Sequence, residues 1–298
     1  MKPSEVSNNQ IGSDITWRKL SHQRIDGVVP GVRGQRVFPT QALTHVDPFV
    51  LLDHIGPQKV VADYKVDGHM HPHRGFETIT FMFAGNLHHK DNFGHRVLLS
   101  SGGVQQMNAG RGISHGGDMW GDETSGEFHE IQLWVNSPAQ QKLSEPKVNS
   151  FDASQIPVIK SDGLELRIIA GSQPDAQGTV FTGPVKTFAD ISAYHGFGKN
   201  VDSTININPA HDRILIYVLK GGLQLTLNGK REKLQAFESL LIEGNQLDKI
   251  NLLGVDGEFL FLTGRSIGEP IVMGGPFVMN TEQEILTAKQ DHQNGYFD

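Results

Sequence analysis

One short segment carries three side chains that could hold a metal ion. It runs from His71 to Glu77 and reads HPHRGFE. On a β-strand, side chains at positions i and i+2 share a face, and their Cα atoms lie roughly 6.5–7 Å apart. The imidazoles of His71 and His73 can therefore converge on one ion, and Glu77 joins them if the strand stays regular past Gly75. Such a nitrogen and oxygen set suits iron, manganese, nickel, copper or zinc.

A third histidine ligand has to come from another part of the chain. The best candidate is His115, which ends the segment AGRGISH. Gly110 and Gly112 let the backbone turn there and bring the histidine to the others. An HxH pair alone is as typical of structure as of metal binding, but Glu77 and His115 together favour a metal. Such a site keeps open positions for dioxygen or a chelating substrate.

The other candidate side chains favour structural roles. His88 and His89 lie in a polar stretch, which predicts a solvated hairpin tip. His69 follows a glycine and is expected at the surface or beside the site, with ligation the lesser alternative. His129 is interpreted as an ordinary strand residue, and Trp134 as part of the core.

Short β-strands must position these residues. Apolar runs closed by turn residues predict most of them. The predicted strands are 49–52, 78–83, 97–99, 131–135, 164–169, 214–219, 223–227, 240–242 and 259–262. One short helix is expected near the C-terminal end, where Thr281 and Glu284 form a capping box. The sequence therefore predicts an all-β protein with a short C-terminal helix.

Composition narrows the function classes. The 298 residues suggest two domains, and the polar segment 136–147 is the expected linker. We place the domains at 1–145, with the metal site, and 146–298. The chain has no cysteine, which excludes disulfides and thiolate chemistry. A net charge of −7 with no basic segment argues against direct nucleic-acid binding. No apolar run could span a membrane and no signal peptide is visible, so a cytoplasmic protein is expected.

Several motifs together resemble the pirin family, which belongs to the cupins. The central one is HPHRGFET at 71–78, and the others are spread over nearly the whole chain. They are DPFVLLD at 47–53 with Gly56 and Pro57, AGRGI at 109–113 with His115, QLWVN at 132–136, GEP at 268–270 and GPFVMNT at 275–281.

This resemblance implies a bicupin, with two cupin-type β-barrels and one transition metal, usually iron, in the first barrel. His71, His73 and His115 fall on the three histidine ligands of the family. The second barrel is expected to lack a metal, because His195 and His211 lie far apart and form no HxH set.

One position departs from the family pattern. Pirins commonly carry a glutamate ligand two residues after the third histidine, where this chain has Gly117. We expect Glu77 to replace it as a ligand. Alternatively, Asp118 substitutes after a small backbone shift, or three histidines and water hold the metal weakly or not at all.

The resemblance leaves three functions open. Some pirins resemble flavonol dioxygenases, which predicts a quercetin 2,3-dioxygenase-type enzyme acting on a flavonol-like small molecule. Glu77 would then be the catalytic base if it does not bind the metal. The second reading is a regulatory module that binds a protein partner under control of its metal. The third, favoured by Gly117, is a degenerate cupin without catalysis.

Overall fold

The computed structural model describes residues 9–11, 15–61, 64–161, 163–227, 229–245 and 247–297. The first strands are β1 (Asn9–Ile11), β2 (Ile15–Lys19), β3 (Gln23–Asp26), β4 (Arg33–Phe38), β5 (Phe49–Lys59), β6 (Lys65–His73), β7 (Phe76–Ala84), β8 (Asn86–Asp91), β9 (Arg96–Ser100), β10 (Val104–Asn108), β11 (Ile113–Trp120) and β12 (Glu127–Asn136). They are followed by β13 (Lys147–Phe151), β14 (Val158–Ser161), β15 (Leu164–Ala170), β16 (Ser172–Pro174), β17 (Val180–Thr182), β18 (Ile191–Asn206), β19 (Arg213–Leu227), β20 (Lys230–Gln235), β21 (Ser239–Glu243), β22 (Lys249–Gly264), β23 (Val272–Met273), β24 (Val278–Met279) and the helix α1 (Glu282–Gln293).

The chain divides into two units built mainly of β-strands, in agreement with the all-β prediction. The first unit comprises His22–Gln155 and Ile267–Asp298, and the second comprises Ile156–Ser266 with the described residues up to Ser21. This division differs from the predicted domains 1–145 and 146–298. β2 pairs with β21 and so joins the second unit, whereas α1 packs against β24 in the first. The expected linker is also part of the first unit, because β13 pairs with β10.

Two sheets build the first unit. The seven-stranded sheet has the order β13-β10-β7-β12-β5-β4-β3, and the four-stranded sheet has the order β6-β11-β8-β9. The predicted strands at 49–52, 78–83, 97–99 and 131–135 are confirmed as parts of β5, β7, β9 and β12. Their apolar runs are buried, as in β7, where Ile79, Phe81 and Met82 are at most 1% exposed. Burial of such side chains is the main stabilising contribution to a β-barrel of this size.

A larger sheet builds the second unit. Its nine strands follow the order β1-β2-β21-β19-β22-β18-β15-β14, with β20 added to β19. The five strands predicted for this half are confirmed within β15, β19, β21 and β22, the first of them extended by one residue in β15. The runs at 214–219 and 223–227 both lie in β19, which continues through Gly221 and Gly222.

Gly75 separates β6 from β7 and changes the course of the chain beside the histidine pair. Its φ is +87°, a left-handed conformation that glycine adopts without a steric penalty. A Cβ atom there would lie 2.2 Å from the carbonyl oxygen of Val278. The turn is fixed by the buried Lys142, whose Nζ donates to the carbonyl oxygens of Gly75 at 2.9 Å and Val278 at 3.0 Å, and to Oδ1 of Asn136 at 2.6 Å. Gly75 is therefore held in place from the C-terminal segment.

The predicted C-terminal helix is confirmed, and so is its capping box. The hydroxyl of Thr281 accepts the backbone N–H of Glu284, and the Glu284 carboxylate accepts the backbone N–H of Thr281. The helix has 12 residues. In the described parts of the chain, no helix combines the length and apolar character that crossing a membrane requires.

Candidate metal centre

Three histidines converge on one point in the first unit. Each of His71, His73 and His115 offers one ring nitrogen, and these nitrogens lie within 4.8 Å of one another. His71 and His73 come from β6, two residues apart on one face, as the strand period requires. His115 is brought to them by strand pairing, because it lies directly opposite His71 in the antiparallel pair β6–β11.

Backbone carbonyls orient two of these rings. Nδ1 of His71 donates to the carbonyl oxygen of His69 at 2.9 Å, and Nδ1 of His73 donates to that of Pro276 at 3.2 Å. A hydrogen bond of this kind fixes the tautomer and leaves Nε2 with a free lone pair. This arrangement is typical of metal-binding histidines.

The third ring carries a buried nitrogen without a hydrogen bond. Nε2 of His115 has no partner among the described residues. Burial, reinforced by His73 and His71, holds the pKa of His115 well below its usual value. Burial likewise lowers the pKa of His73 to about 3. Both rings are therefore neutral near pH 7, and the residues fit a metal ion, which would satisfy the unpaired nitrogen.

Aromatic side chains line one side of the centre. The Trp134 ring lies 5.1 Å from that of His73 and 4.2 Å from that of Phe76, measured between ring centroids. Phe76 also contacts His73 edge-on at 5.2 Å. Trp134 thus packs as predicted for a core residue, but it also forms a wall of the site. His71 is exposed, so the centre is open to solvent on its side.

The C-terminal segment contacts this centre within the same unit. Arg74, next to His73, donates to Asp291 of α1 at 2.7 Å and to the carbonyl oxygen of Arg111 at 2.6 Å. Its guanidinium lies 4.6 Å from the centroid of the Phe297 ring. Together with the Pro276 carbonyl, these contacts hold the histidine segment in its observed conformation.

Glu77 lies apart from the three histidines. The alternation of side chains ends at Gly75, so the premise that one regular strand runs from His71 to Glu77 is wrong. Glu77 is buried, and its Oε1 accepts Nε2 of Gln106 at 2.7 Å. It is not part of the group whose ligand atoms converge. Its assignment as ligand or base stays a prediction of the sequence.

Asp118, the alternative replacement ligand, is engaged elsewhere. Its Oδ2 accepts Nζ of Lys90 at 2.9 Å and lies 3.7 Å from Nζ of Lys65. It also lies outside the converging group. These cations lower the pKa of Asp118, so it is ionised and paired at neutral pH.

His89 is a residue that the sequence interpretation missed. It was expected at a solvated hairpin tip together with His88, but β8 places its side chain in the interior, where only 1% is exposed. Its ring lies 5.4 Å from that of His115, with the planes 29° apart. The alternation of β8 separates the two: His89 points inward, whereas His88 stays partly exposed. A strand-period analysis of 86–91 was the signal that could have found it.

Comparison with known proteins assigns the family. Residues 31–135 match the family description Pirin, and residues 199–298 match the Pirin C-terminal cupin domain. The chain belongs to the pirin family. This confirms the resemblance found in the sequence, and it identifies both units as cupin domains.

Relatives of the chain include pirins and proteins named for flavonol cleavage. Human pirin is 29% identical over 94% of this chain and 92% of its own length. A Pseudomonas aeruginosa protein whose name gives quercetin 2,3-dioxygenase as a provisional activity is 34% identical, over 95% of this chain and 97% of its own. The crystal structure of a quercetin 2,3-dioxygenase from Acinetobacter baumannii has a TM-score of 0.81 and 30% identity, covering 97% of this chain and 98% of that one.

Proposed function

We propose that this pirin is a metal-dependent dioxygenase that opens flavonols of the quercetin type. The observation that carries the proposal is the convergence of His71, His73 and His115, with the buried Nε2 of His115 left without a partner. The quercetin 2,3-dioxygenase from Acinetobacter baumannii, with its similar fold at 30% identity, supports the choice of reaction.

The three histidines would hold the metal, and iron is the proposed ion. Neutral imidazoles suit iron, nickel, copper and zinc alike, so the preference for iron comes from the family resemblance. When bound, the metal supplies Lewis acidity and the capacity to engage dioxygen. The carbonyls of His69 and Pro276 keep two of the rings oriented toward it.

The surroundings suit a flat aromatic substrate. Trp134, which is only partly buried, places its ring beside His73, and such a ring favours offset or edge-on contacts with a planar ligand. Phe76 is fully buried and packs against Trp134. The exposed side at His71 gives access from solvent. A flavonol could therefore approach the open coordination positions along this side.

Metal content and oxygen consumption test the proposal. Untagged protein, as isolated and after anaerobic loading with Fe(II), is analysed by mass spectrometry, and oxygen uptake is then followed with quercetin. We expect about one metal per chain, as a single mononuclear site requires, and uptake above that of free Fe(II). Metal-loaded protein without turnover would contradict the dioxygenase and favour a role in binding a protein partner. Protein that takes up no metal would favour the degenerate cupin.

The same samples test the sequence prediction for Glu77. Loss of metal in Glu77→Ala would identify a ligand, and loss of turnover with metal retained would identify a base. Unchanged metal and turnover would contradict both roles. Gln106→Ala, which removes the partner of Glu77 without removing its carboxylate, is the matched control for packing effects.

A further inference from the structure

The position of His89 in the sheet carries a further inference about the metal centre. β8 and β11 are antiparallel, and His89 lies directly opposite Gly117. Directly opposite residues of paired strands place their side chains on the same face. His115, two residues before Gly117, shares that face. The imidazole of His89 therefore projects over the glycine, on the side of His115.

A side chain at position 117 would run into strand β8. A Cβ atom on Gly117 would lie 2.6 Å from the carbonyl oxygen of His88 and 2.9 Å from Cδ1 of Leu87. β8 therefore approaches β11 too closely for any side chain at 117. In the same strand pair, the centroid of the His89 ring lies 5.4 Å from that of the His115 ring. The pairing of β8 with β11 thus excludes a side chain at 117 and places the imidazole of His89 beside that of His115.

A buried carboxylate orients His89. Nε2 of His89 donates to Oδ2 of Asp91 at 2.9 Å, and the Asp91 side chain is fully buried. Asp91 is itself fixed, since its Oδ1 accepts the backbone N–H groups of Phe93 and His95, each at 3.0 Å. His95 Nδ1 adds a contact to Oδ2 at 2.8 Å. Metal-binding histidines commonly donate their second ring N–H to a carboxylate in this way.

With Nε2 committed to Asp91, the other ring nitrogen is available as a ligand. Among the described residues, Nδ1 of His89 makes no hydrogen bond. We propose that His89, oriented by Asp91, is the fourth protein ligand of the centre formed by His71, His73 and His115. In the structure the His89 ring lies beside that of His115, with 5.4 Å between the ring centroids, and outside the group whose ligand atoms converge.

The inference rests on the proposed function only through the metal centre. A site of four imidazoles and no carboxylate keeps the full charge of the divalent ion. It favours borderline metals such as iron, cobalt, nickel, copper and zinc over manganese, which prefers oxygen ligands.

Cu(II) bound to the wild-type protein gives the most direct test. The nitrogen hyperfine pattern of its electron paramagnetic resonance spectrum counts the imidazoles bound to the metal. We expect four nitrogens in the wild type and three in His89→Gln. Three nitrogens in the wild type would overturn the proposal, and this result needs no variant to fold.

Co(II) affinity of the variants gives the second test. We expect His89→Gln to weaken Co(II) binding by more than about 10-fold and to change its visible absorption, because outer contacts alone are worth about 10–100-fold. Asp91→Asn, which keeps the shape of the side chain, should weaken binding less. His88→Gln is the matched control, since His88 is the adjacent histidine on the opposite face of β8, and it should bind like the wild type. Added imidazole should restore binding to His89→Ala.

His71→Gln separates failure of this inference from failure of the centre. If His71→Gln loses Co(II) while His89→Gln binds it with wild-type affinity and spectrum, the centre stands with three histidines and His89 is not a ligand. If His71→Gln also binds like the wild type, the metal is held elsewhere, and the proposed dioxygenase site fails with it. Circular dichroism of each metal-free variant checks that the fold is intact.

Discussion

The two cupin units use buried histidines in opposite ways. In the second unit, His195 lies 2.7 Å from a carboxylate oxygen of Glu258, and His211 contacts Thr263 at 2.7 Å and Asp190 at 3.1 Å. In the first unit, Nε2 of His115 is buried with no protein partner in the described residues. Both ring nitrogens of His211 are thus engaged, and Nε2 of His195 is paired with a carboxylate. Among the described residues, the buried imidazole nitrogens without a hydrogen bond lie in the first unit and not in the second, which distinguishes two barrels of one family.

The two units also differ in how their interiors are packed. One continuous cluster of 22 buried apolar side chains fills the second unit, including Trp17, Phe259 and Phe261. The first unit also buries polar groups: Arg36 donates to Asp53 at 2.7 and 2.6 Å, and Glu130 is buried with Oε2 unpaired among the described residues. Such groups reduce stability unless they are paired. The buried, unpaired Oε2 of Glu130 therefore reduces the stability of the first unit.

The largest effect is expected where a ligand is removed. His115→Ala should reduce the metal content of loaded protein to near zero, because it removes a ligand whose nitrogen is held in the centre. His195→Ala, the corresponding change in the second unit, should leave the metal content at the wild-type value. Mass spectrometry after identical loading and dialysis measures both. Metal loss in His195→Ala alone would reverse the roles assigned to the two units.

Truncation of a core residue in the second unit should lower the stability of that unit and leave the metal centre of the first unit unchanged. Phe261→Ala should lower the free energy of unfolding of the second unit by about 3–5 kcal/mol, the usual cost of a large buried cavity. Metal affinity should not change. Hydrogen exchange followed by mass spectrometry resolves the two units, with faster exchange expected in β18, β19 and β22. A matching loss of protection confined to the first unit would contradict the assignment of Phe261 to the second core.

Stability of the first unit should depend on pH through Glu130. Burial, with Asp53 nearby, raises the pKa of Glu130 from 4.5 to about 7. Below pH 4.5 Glu130 is protonated in both the folded and the unfolded state, so its burial does not lower the free energy of unfolding. Between pH 4.5 and 7 Glu130 ionises in the unfolded state but stays protonated in the folded state. The free energy of unfolding therefore falls by about 3 kcal/mol as the pH rises through this range. Above pH 7 the loss is complete.

Glu130→Gln isolates this contribution. The variant should show a free energy of unfolding whose pH dependence is flatter than that of the wild type by this amount, measured by urea denaturation at several pH values. Groups that titrate in both proteins cancel in the difference. An identical pH profile would show that Glu130 ionises normally in the folded state.

The smallest effect is expected at the start of α1. Thr281→Ala removes the capping hydroxyl and should cost about 0.5–2 kcal/mol. The loss should appear as faster hydrogen exchange in α1, with the second unit unchanged. Thr281→Ser, which keeps the hydroxyl, is the control and should restore most of the protection. Equal exchange in both variants would mean that the capping box does not limit opening of the helix.

The sequence predicted the parts of this molecule that depend on local pattern. Apolar runs located the main strands, the Thr281 capping box located the helix, and His71 and His73 were paired by strand period. His115 was found because glycines flank it and the family motif contains it. Each of these inferences uses neighbours within a few residues.

The rest depends on registers that a single sequence does not reveal. The alternation that placed Glu77 with the histidines ends at Gly75, where contact with the distant Val278 requires a left-handed turn. The position of His89 beside the histidine centre follows from the register that pairs it with Gly117. Lys142, expected in a polar linker, is buried because three carbonyl oxygens converge on its Nζ.

The contact between His73 and Pro276 also has a consequence for biosynthesis. The two residues are separated by 203 positions in the chain, yet the carbonyl of Pro276 orients the ring of His73. During translation the HPH segment leaves the ribosome long before its orienting partner has been made. A nascent chain therefore carries the histidines without the complete centre, and metal loading in its final geometry has to wait until synthesis has passed Pro276.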